Sequence, residues 1–200
     1  MIKNYLLTCL LFSCAFISYG QTTIGIQDFE TTPATPTMTY TGGNVATGTG
    51  PFPSGENNFV SGSQGRKVTN GTETIEFSNV NTSLYTNVEF SVKLASFGGS
   101  SGNGADSSDY VIVDVSDDGG GTWTQQAEVN GWSTANALWH FGQGSTETNT
   151  YNPSGYLTSV AGGDGASGIN EIIITDLPSV ANLKIKISFF NNSGNETWII

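Results

Sequence analysis

Carboxylates are the most numerous ionisable side chains in this sequence. The chain has 17 Asp and Glu residues against 6 Lys and Arg, which gives a net charge of −11. Ca²⁺ binds roughly six to eight oxygen atoms and accepts them from irregular loops. Acidic residues on predicted loops and strand ends are therefore candidate ligands: Asp28, Glu30, Asp106, Asp109, Asp117, Asp118, Asp164, Asp176 and Glu196. The alternative is a solvated acidic surface that aids solubility, in which Asp117 and Asp118 only shape a turn.

Aromatic side chains collect in one irregular stretch, between positions 132 and 156. Sugars are bound by aromatic faces and a few polar groups in a largely pre-formed site. The predicted sugar-binding residues are Trp132, Trp139, His140, Tyr151 and Tyr156. Alternatively, Trp139 lies on a strand and its side chain fills the protein core. Trp123 and Trp198 lie in alternating segments, so both are predicted to be core anchors.

Catalytic patterns are weak throughout. His140 is the single histidine, and the G-x-S-x-G motif of a serine hydrolase is missing. A zinc site normally needs several His or Cys ligands. A pair of carboxylates for glycoside hydrolysis stays open, because the separation of such groups cannot be read from sequence. The sequence therefore predicts a module without catalytic activity.

The N-terminal segment predicts export. Met1–Gly20 has a lysine, an apolar run over Tyr5–Ile17 and small residues before position 21, which is the layout of a secretory signal peptide. Cleavage is predicted before Gln21, with lipoprotein processing at Cys14 as the alternative. Both cysteines fall within this segment. The exported chain then has no disulfide, and its stability must come from a packed core, a bound metal or both. A secreted or cell-surface location is predicted.

The charge balance excludes two classes of partner. Nucleic-acid phosphates require clusters of Lys and Arg, and anionic membrane surfaces attract the same residues. A chain with 6 Lys and Arg residues and a net charge of −11 offers no such clusters.

Short alternating segments must position these groups. The clearest is a hairpin over Asp109–Val129, with strands Tyr110–Ser116 and Thr122–Val129 around the turn Asp117–Gly121, whose residues tolerate positive φ. Similar alternation marks Asn87–Leu94 and Leu183–Phe190. Further strands are predicted at Thr22–Glu30, Glu171–Thr175 and Glu196–Ile200. No segment has helical periodicity, so an antiparallel β-sandwich or barrel is expected.

Two motifs resemble a known group of secreted bacterial modules. Ser116–Trp123 is similar to the S-x-DGG-x-TW hairpin, and Asn192–Ile200 to the final strand, of choice-of-anchor J, cleaved-adhesin and MAM-like domains. These share a galactose-binding-like fold. The resemblance covers most of residues 21–200. It implies a jelly-roll β-sandwich of two packed antiparallel sheets.

The resemblance also implies a metal site and a function. In related jelly-rolls a structural calcium lies where the first strand meets the last, which matches Asp28, Glu30 and Glu196. The group's aspartate after the last W-x-I is absent, which leaves that site in doubt, and the last strand is predicted to be truncated.

The predicted function is adhesion or carbohydrate recognition, by a module accessory to a larger exported protein. A glycan or cell-surface polysaccharide is the expected partner. Two alternatives stay open. The chain is the N-terminal accessory domain of a secreted protease, nuclease or glycosidase, or it is a structural cell-surface spacer.

Overall fold

All regular secondary structure in the described part of the chain is β-strand, as predicted. A computed structural model describes residues 20–47, 60–98, 105–131, 146–155 and 169–200. Within these ranges there is no helix, hence none that could span a membrane. The strands are β1 (Tyr40–Thr41), β2 (Asn44–Thr47), β3 (Gln64–Thr69), β4 (Gly71–Phe77), β5 (Val88–Gly98), β6 (Tyr110–Ser116), β7 (Thr124–Asn130), β8 (Thr146–Thr150), β9 (Ile169–Leu177), β10 (Lys184–Asn191) and β11 (Glu196–Ile199).

The strands form two sheets. The first has the order β1-β4-β10-β6-β7 and the second β2-β3-β11-β5-β9-β8. Among the described strands, all neighbouring pairs are antiparallel except β8 and β9, which run parallel. This corrects the expectation of wholly antiparallel sheets. A long connection separates β8 from β9, and parallel neighbours need a connection of about a dozen or more residues.

The core lies between the two sheets. On β10, Ile185, Ile187 and Phe189 are at most 5% exposed, which is the face that its strict alternation predicts. Ile187 pairs with Val113 on β6 and with Ile75 on β4. Strand β10 is thus the centre of the first sheet, and its inward side chains are buried against the second.

The predicted hairpin is confirmed. Strands β6 and β7 pair over Tyr110–Asn130, and Gly119 and Gly120 have φ of 83° and 101°, which favours glycine. Asp118 holds the turn, because its Oδ1 accepts hydrogen bonds from the backbone N–H groups of Gly121 and Thr122 at 2.8 and 2.9 Å. These bonds, the one to Thr122 first, keep the pKa of Asp118 well below its usual range.

Of the two predicted core anchors, only Trp198 is in the core. Trp198 is 1% exposed. Trp123 precedes β7 and is half-buried, with Nζ of Lys186 4.4 Å from its ring centroid. The expectation for Trp123 was wrong, because the register shifts between Val113 and Asp114, and a bulge of this kind breaks the alternation on which the expectation depended.

The predicted first strand, Thr22–Glu30, does not form. Its single bridge joins Ile26 to Thr37. The chain turns at Phe29, which has φ of 59° and donates its N–H to Oε1 of Gln27 at 2.6 Å. The segment therefore belongs to neither sheet, although Ile24 and Phe29 pack against the core.

A substitution at Ile187 tests the packing of the core. Ile187→Ala is expected to lower the free energy of unfolding by about 2–5 kcal/mol, because it leaves a cavity in a packed interior. Ile112 is the matched control, since it lies on β6 at the half-exposed outer face, where Ile112→Ala should cost much less. Urea denaturation of both variants measures the difference, and equal losses would contradict the assignment of the two faces.

Candidate functional site

Three carboxylates meet at one end of the sandwich. One oxygen from each of Asp106, Asp109 and Glu196 lies within 4.8 Å of the other two. Asp109 directly precedes β6 in the first sheet, and Glu196 begins β11 in the second. This acidic triad therefore joins the two sheets, and it can hold a metal ion.

Backbone hydrogen bonds fix the two aspartates. The N–H of Asp106 donates to Oδ2 of Asp109 at 2.7 Å, and the N–H of Asp109 donates to the carbonyl oxygen of Asp106 at 2.9 Å. The N–H of Asn192, in the turn between β10 and β11, donates to Oδ1 of Asp109 at 3.1 Å. Gly131 allows the backbone of Asp106 to lie close to it, because a Cβ at position 131 would be 1.8 Å from the carbonyl oxygen of Asp106.

Burial sets the electrostatics of the triad. Asp109 is 0% and Glu196 4% exposed. Desolvation, followed by the negative charges of Asp109 and Asp106, raises the pKa of Glu196 to about 7. Desolvation likewise raises the pKa of Asp109. Three carboxylates this close need a compensating proton or cation, because the buried charges otherwise repel one another.

Two buried oxygens here have no hydrogen-bond partner among the described residues. They are Oε2 of Glu196 and Oδ1 of Asn191. Asn191 is 0% exposed, and its Nδ2 donates to the carbonyl oxygens of Glu196 and Val68 at 2.8 and 3.1 Å. Buried polar atoms are normally paired. Of these two oxygens, Oε2 of Glu196 belongs to the triad, and its vacant lone pairs are a second observation that favours a cation.

The donor set restricts the metal. The triad offers only carboxylate oxygens. Oxygen-only sites suit hard cations such as Mg²⁺, Ca²⁺ and Mn²⁺, whereas zinc and copper favour nitrogen and sulfur ligands.

The predicted metal ligands are not all brought together. Glu30 lies at the other end of β3, where its Oε1 accepts the N–H of Gln64 at 2.9 Å and its Oε2 accepts the hydroxyl of Ser63 at 2.6 Å. The residue after Glu196 pairs with Thr69 at the opposite end of that strand. At about 3.3 Å per residue, roughly 17 Å of strand separates the two carboxylates.

Asp28 also has a local role. Its carboxylate oxygens accept the N–H groups of Glu30 and Ala34 at 3.2 and 3.0 Å. Of the three predicted ligands, Glu196 alone belongs to the triad. The missed partners, Asp106 and Asp109, were candidates by composition, but no sequence signal joins them to Glu196.

The sugar-binding prediction rests mainly on residues outside the described part of the chain. Trp132, Trp139, His140 and Tyr156 all lie there. Tyr151 is half-buried, packs against the core and donates its N–H to the carbonyl oxygen of Thr175 at 2.9 Å. Burial raises its pKa.

The backbone next to Tyr151 is held by a side-chain amide. Nε2 of Gln126 donates to the carbonyl oxygen of Asn152 at 2.9 Å, and Oε1 of Gln126 accepts the N–H of Asn152 at 2.8 Å. Gln126 is 0% exposed. The turn that follows Tyr151 is therefore fixed to β7.

Comparisons with known proteins give no match to a family model, to a curated protein or to a solved structure. The resemblance in the two sequence motifs stays a prediction.

The raised pKa of Glu196 predicts how the stability of the metal-free protein depends on pH. Its pKa in the fold, about 7, exceeds its ordinary value of 4.5. The neutral form therefore stabilises the fold, fully below the ordinary pKa, and this contribution is lost as pH rises through the folded pKa. With EDTA present, the free energy of unfolding of the wild type should fall by on the order of 3 kcal/mol relative to that of Glu196→Gln as the pH rises from about 4.5 to about 8.

Urea unfolding at several pH values measures this difference. Parallel curves for the wild type and Glu196→Gln would contradict the burial of an ionisable Glu196.

Proposed function

We propose that this chain is a non-catalytic, exported jelly-roll β-sandwich that contains a structural calcium ion and serves in adhesion or carbohydrate recognition. The observation behind the proposal is the acidic triad, which links the two sheets and has two of its three carboxylates buried. A cation bound there would stabilise the sandwich in a chain whose exported part is predicted to have no cysteine.

Calcium fits the triad better than magnesium does. Ca²⁺ accepts an irregular set of carboxylate and amide oxygens, whereas Mg²⁺ requires near-octahedral geometry and usually keeps several waters. Asp109 and Glu196 are nearly inaccessible to solvent, which leaves little room for retained waters.

The same burial argues against hydrolysis at the triad. The paired carboxyl groups of a glycosidase must reach both faces of a sugar ring. Asp109 at 0% and Glu196 at 4% exposure cannot contact such a substrate. The triad is better explained as a structural site.

Recognition is assigned to the loops rather than to the triad. Tyr151 is the described member of the predicted sugar-binding set, and the amide of Gln126 fixes the turn beside it. A contact residue on a rigid backbone loses little entropy on binding. This pre-organisation supports a role for the 132–156 stretch in glycan binding.

Calcium should raise the melting temperature of the protein measured in EDTA. A ligand that binds only the folded state adds about 2.7 kcal/mol of stability at 100 times its Kd. Glu196→Gln and Asp109→Asn should each abolish most of this gain. Glu30→Gln is the matched control, because Glu30 lies outside the triad, and its response should equal that of the wild type.

Two results would contradict the calcium site. One is a melting temperature that is the same in calcium and in EDTA. The other is loss of the calcium response in Glu30→Gln with retention in Glu196→Gln.

Glycan binding tests the recognition role separately. The exported chain should bind at least one class of neutral polysaccharide on a glycan array, and Tyr151→Ala or Trp132→Ala should weaken that binding about tenfold or more, by analogy with aromatic contacts elsewhere. A blank array would favour the structural spacer or the accessory domain of a hydrolase. Turnover of a polysaccharide would refute the non-catalytic assignment.

A further inference from the structure

The outer face of the first sheet carries apolar side chains where polar ones are expected. Antiparallel sheets commonly bury one face and expose polar residues on the other. On β6 and β10, Tyr110, Ile112 and Phe190 alternate with buried core residues and therefore point away from the core. All three are half-buried and lie outside the core cluster. Packing of the interior does not explain their presence on this face.

Two of these side chains stack on each other. Tyr110 and Phe190 are cross-strand partners, with ring centroids 5.4 Å apart and ring planes inclined by 22°. Each ring covers one face of the other. Phe190 lies between Tyr110 and Thr72, its partner on β4, so the second face of its ring is directed toward Thr72.

Hydroxyl groups lie beside the ring of Phe190. Thr72 and Thr74 are exposed on the outer side of β4. The hydroxyl oxygens of Thr74 and Ser188 are 3.4 Å apart. A hydroxyl group both donates and accepts hydrogen bonds, so this row can bind a ligand that itself carries hydroxyl groups. We call the following six residues the outer patch: Thr72, Thr74, Tyr110, Ile112, Ser188 and Phe190.

The charged side chains next to the outer patch already have partners. Two ion pairs join neighbouring strands on this face: Lys186 with Asp114 and Lys184 with Glu76. On β7, Oε2 of Glu128 accepts a hydrogen bond from Nε2 of Gln125 at 2.9 Å. A charged ligand would have to compete with these contacts. The outer patch therefore favours a neutral ligand.

The outer patch is too small for a protein partner. A stable protein interface buries roughly 800 Å² on each partner. A whole aromatic side chain buries only about 150–250 Å², and the apolar side chains here are already half-buried. The patch also offers no backbone groups to an added strand, because β4, β6 and β10 pair with one another along it. A small polar ligand with apolar faces fits better.

We propose that the outer patch binds a neutral sugar chain whose rings carry equatorial hydroxyl groups, with one ring stacked on Phe190 and its hydroxyl groups bonded to Thr72, Thr74 and Ser188. The C–H groups of such a sugar ring form an apolar face, and the face of an aromatic ring carries the negative part of its quadrupole, so the two attract. This inference rests on the proposed carbohydrate recognition and adds a site on the sheet to the 132–156 stretch.

Titration of the exported chain with a soluble β-1,4-linked glucose hexamer tests the proposal. The probe is neutral and its ring hydroxyl groups are equatorial. Phe190→Ala should weaken binding about tenfold or more, as loss of an aromatic anchor does elsewhere. Tyr85→Ala is the matched control and should bind as the wild type does, because Tyr85 is a 39% exposed aromatic residue in the loop between β4 and β5.

A second pair of variants tests the hydroxyl row. Thr74→Val keeps the shape of the side chain but removes its hydroxyl, and it should weaken binding about threefold, the order expected for one hydrogen bond. Thr69→Val is the matched control. Thr69 is likewise exposed and has a cross-strand hydroxyl contact, with Thr197 at 3.0 Å, but it lies in the second sheet.

Three results would overturn the proposal. The first is no binding of the glucose hexamer. The second is equal or tighter binding of the matching glucuronic acid hexamer, which a chain with a net charge of −11 should repel. The third is a loss of stability in Phe190→Ala as large as that in Ile187→Ala, because this would assign Phe190 to a packed interior rather than to an accessible face.

The variant at Tyr151 separates this inference from the proposed function. Glycan binding that falls in Tyr151→Ala and is unchanged in Phe190→Ala would refute the outer patch and leave recognition with the 132–156 stretch. Binding that falls only in Phe190→Ala would support the outer patch and refute the assignment of recognition to that stretch.

Discussion

Three carboxylates, two of them buried, cannot lie this close together unless a proton or a cation compensates their charge, and this constraint governs one end of the sandwich. Asp109 and Glu196 come from different sheets, so any compensating charge acts on the junction between them. The turn from β10 to β11 is tied to the same point, because Asn192 donates to Asp109 and Asn191 donates to Glu196. Whether a proton or a metal ion occupies the triad therefore bears on the packing of both sheets.

The two possible compensating charges suit different conditions. A proton on Glu196 suffices in mildly acidic solution, since its pKa is raised to about 7. A divalent cation becomes favourable at higher pH, because ligation requires deprotonated carboxylates. Export would place the protein where calcium is plentiful, and the exported chain is predicted to lack disulfides that could stabilise the junction instead.

Side chains cover the outer edge of the first sheet. The outer side of β7 is closed by side chains, with the amide of Gln126 pairing with the backbone of Asn152 and Asn149 donating to the carbonyl oxygen of Gln126 at 3.3 Å.

Local sequence patterns determined much of the fold. Period-two alternation identified β6 and β10, the Asp-Gly turn identified the hairpin, and Trp198 was correctly predicted to be buried. These features depend on neighbours in the chain, since strand faces and turn residues follow local steric rules. The absence of helix from the described residues agrees with the same periodicity.

Only the tertiary structure decided the rest. The bulge near Asp114 moved Trp123 out of the core, and the turn at Phe29 kept Thr22–Glu30 from forming a strand. The candidate metal site required Asp106 and Asp109 to meet Glu196, which is remote in sequence, through pairing in two different sheets. Sequence supplied the carboxylates, but their proximity and the raised pKa values of Asp109 and Glu196 arise from burial and long-range register, which no local pattern encodes.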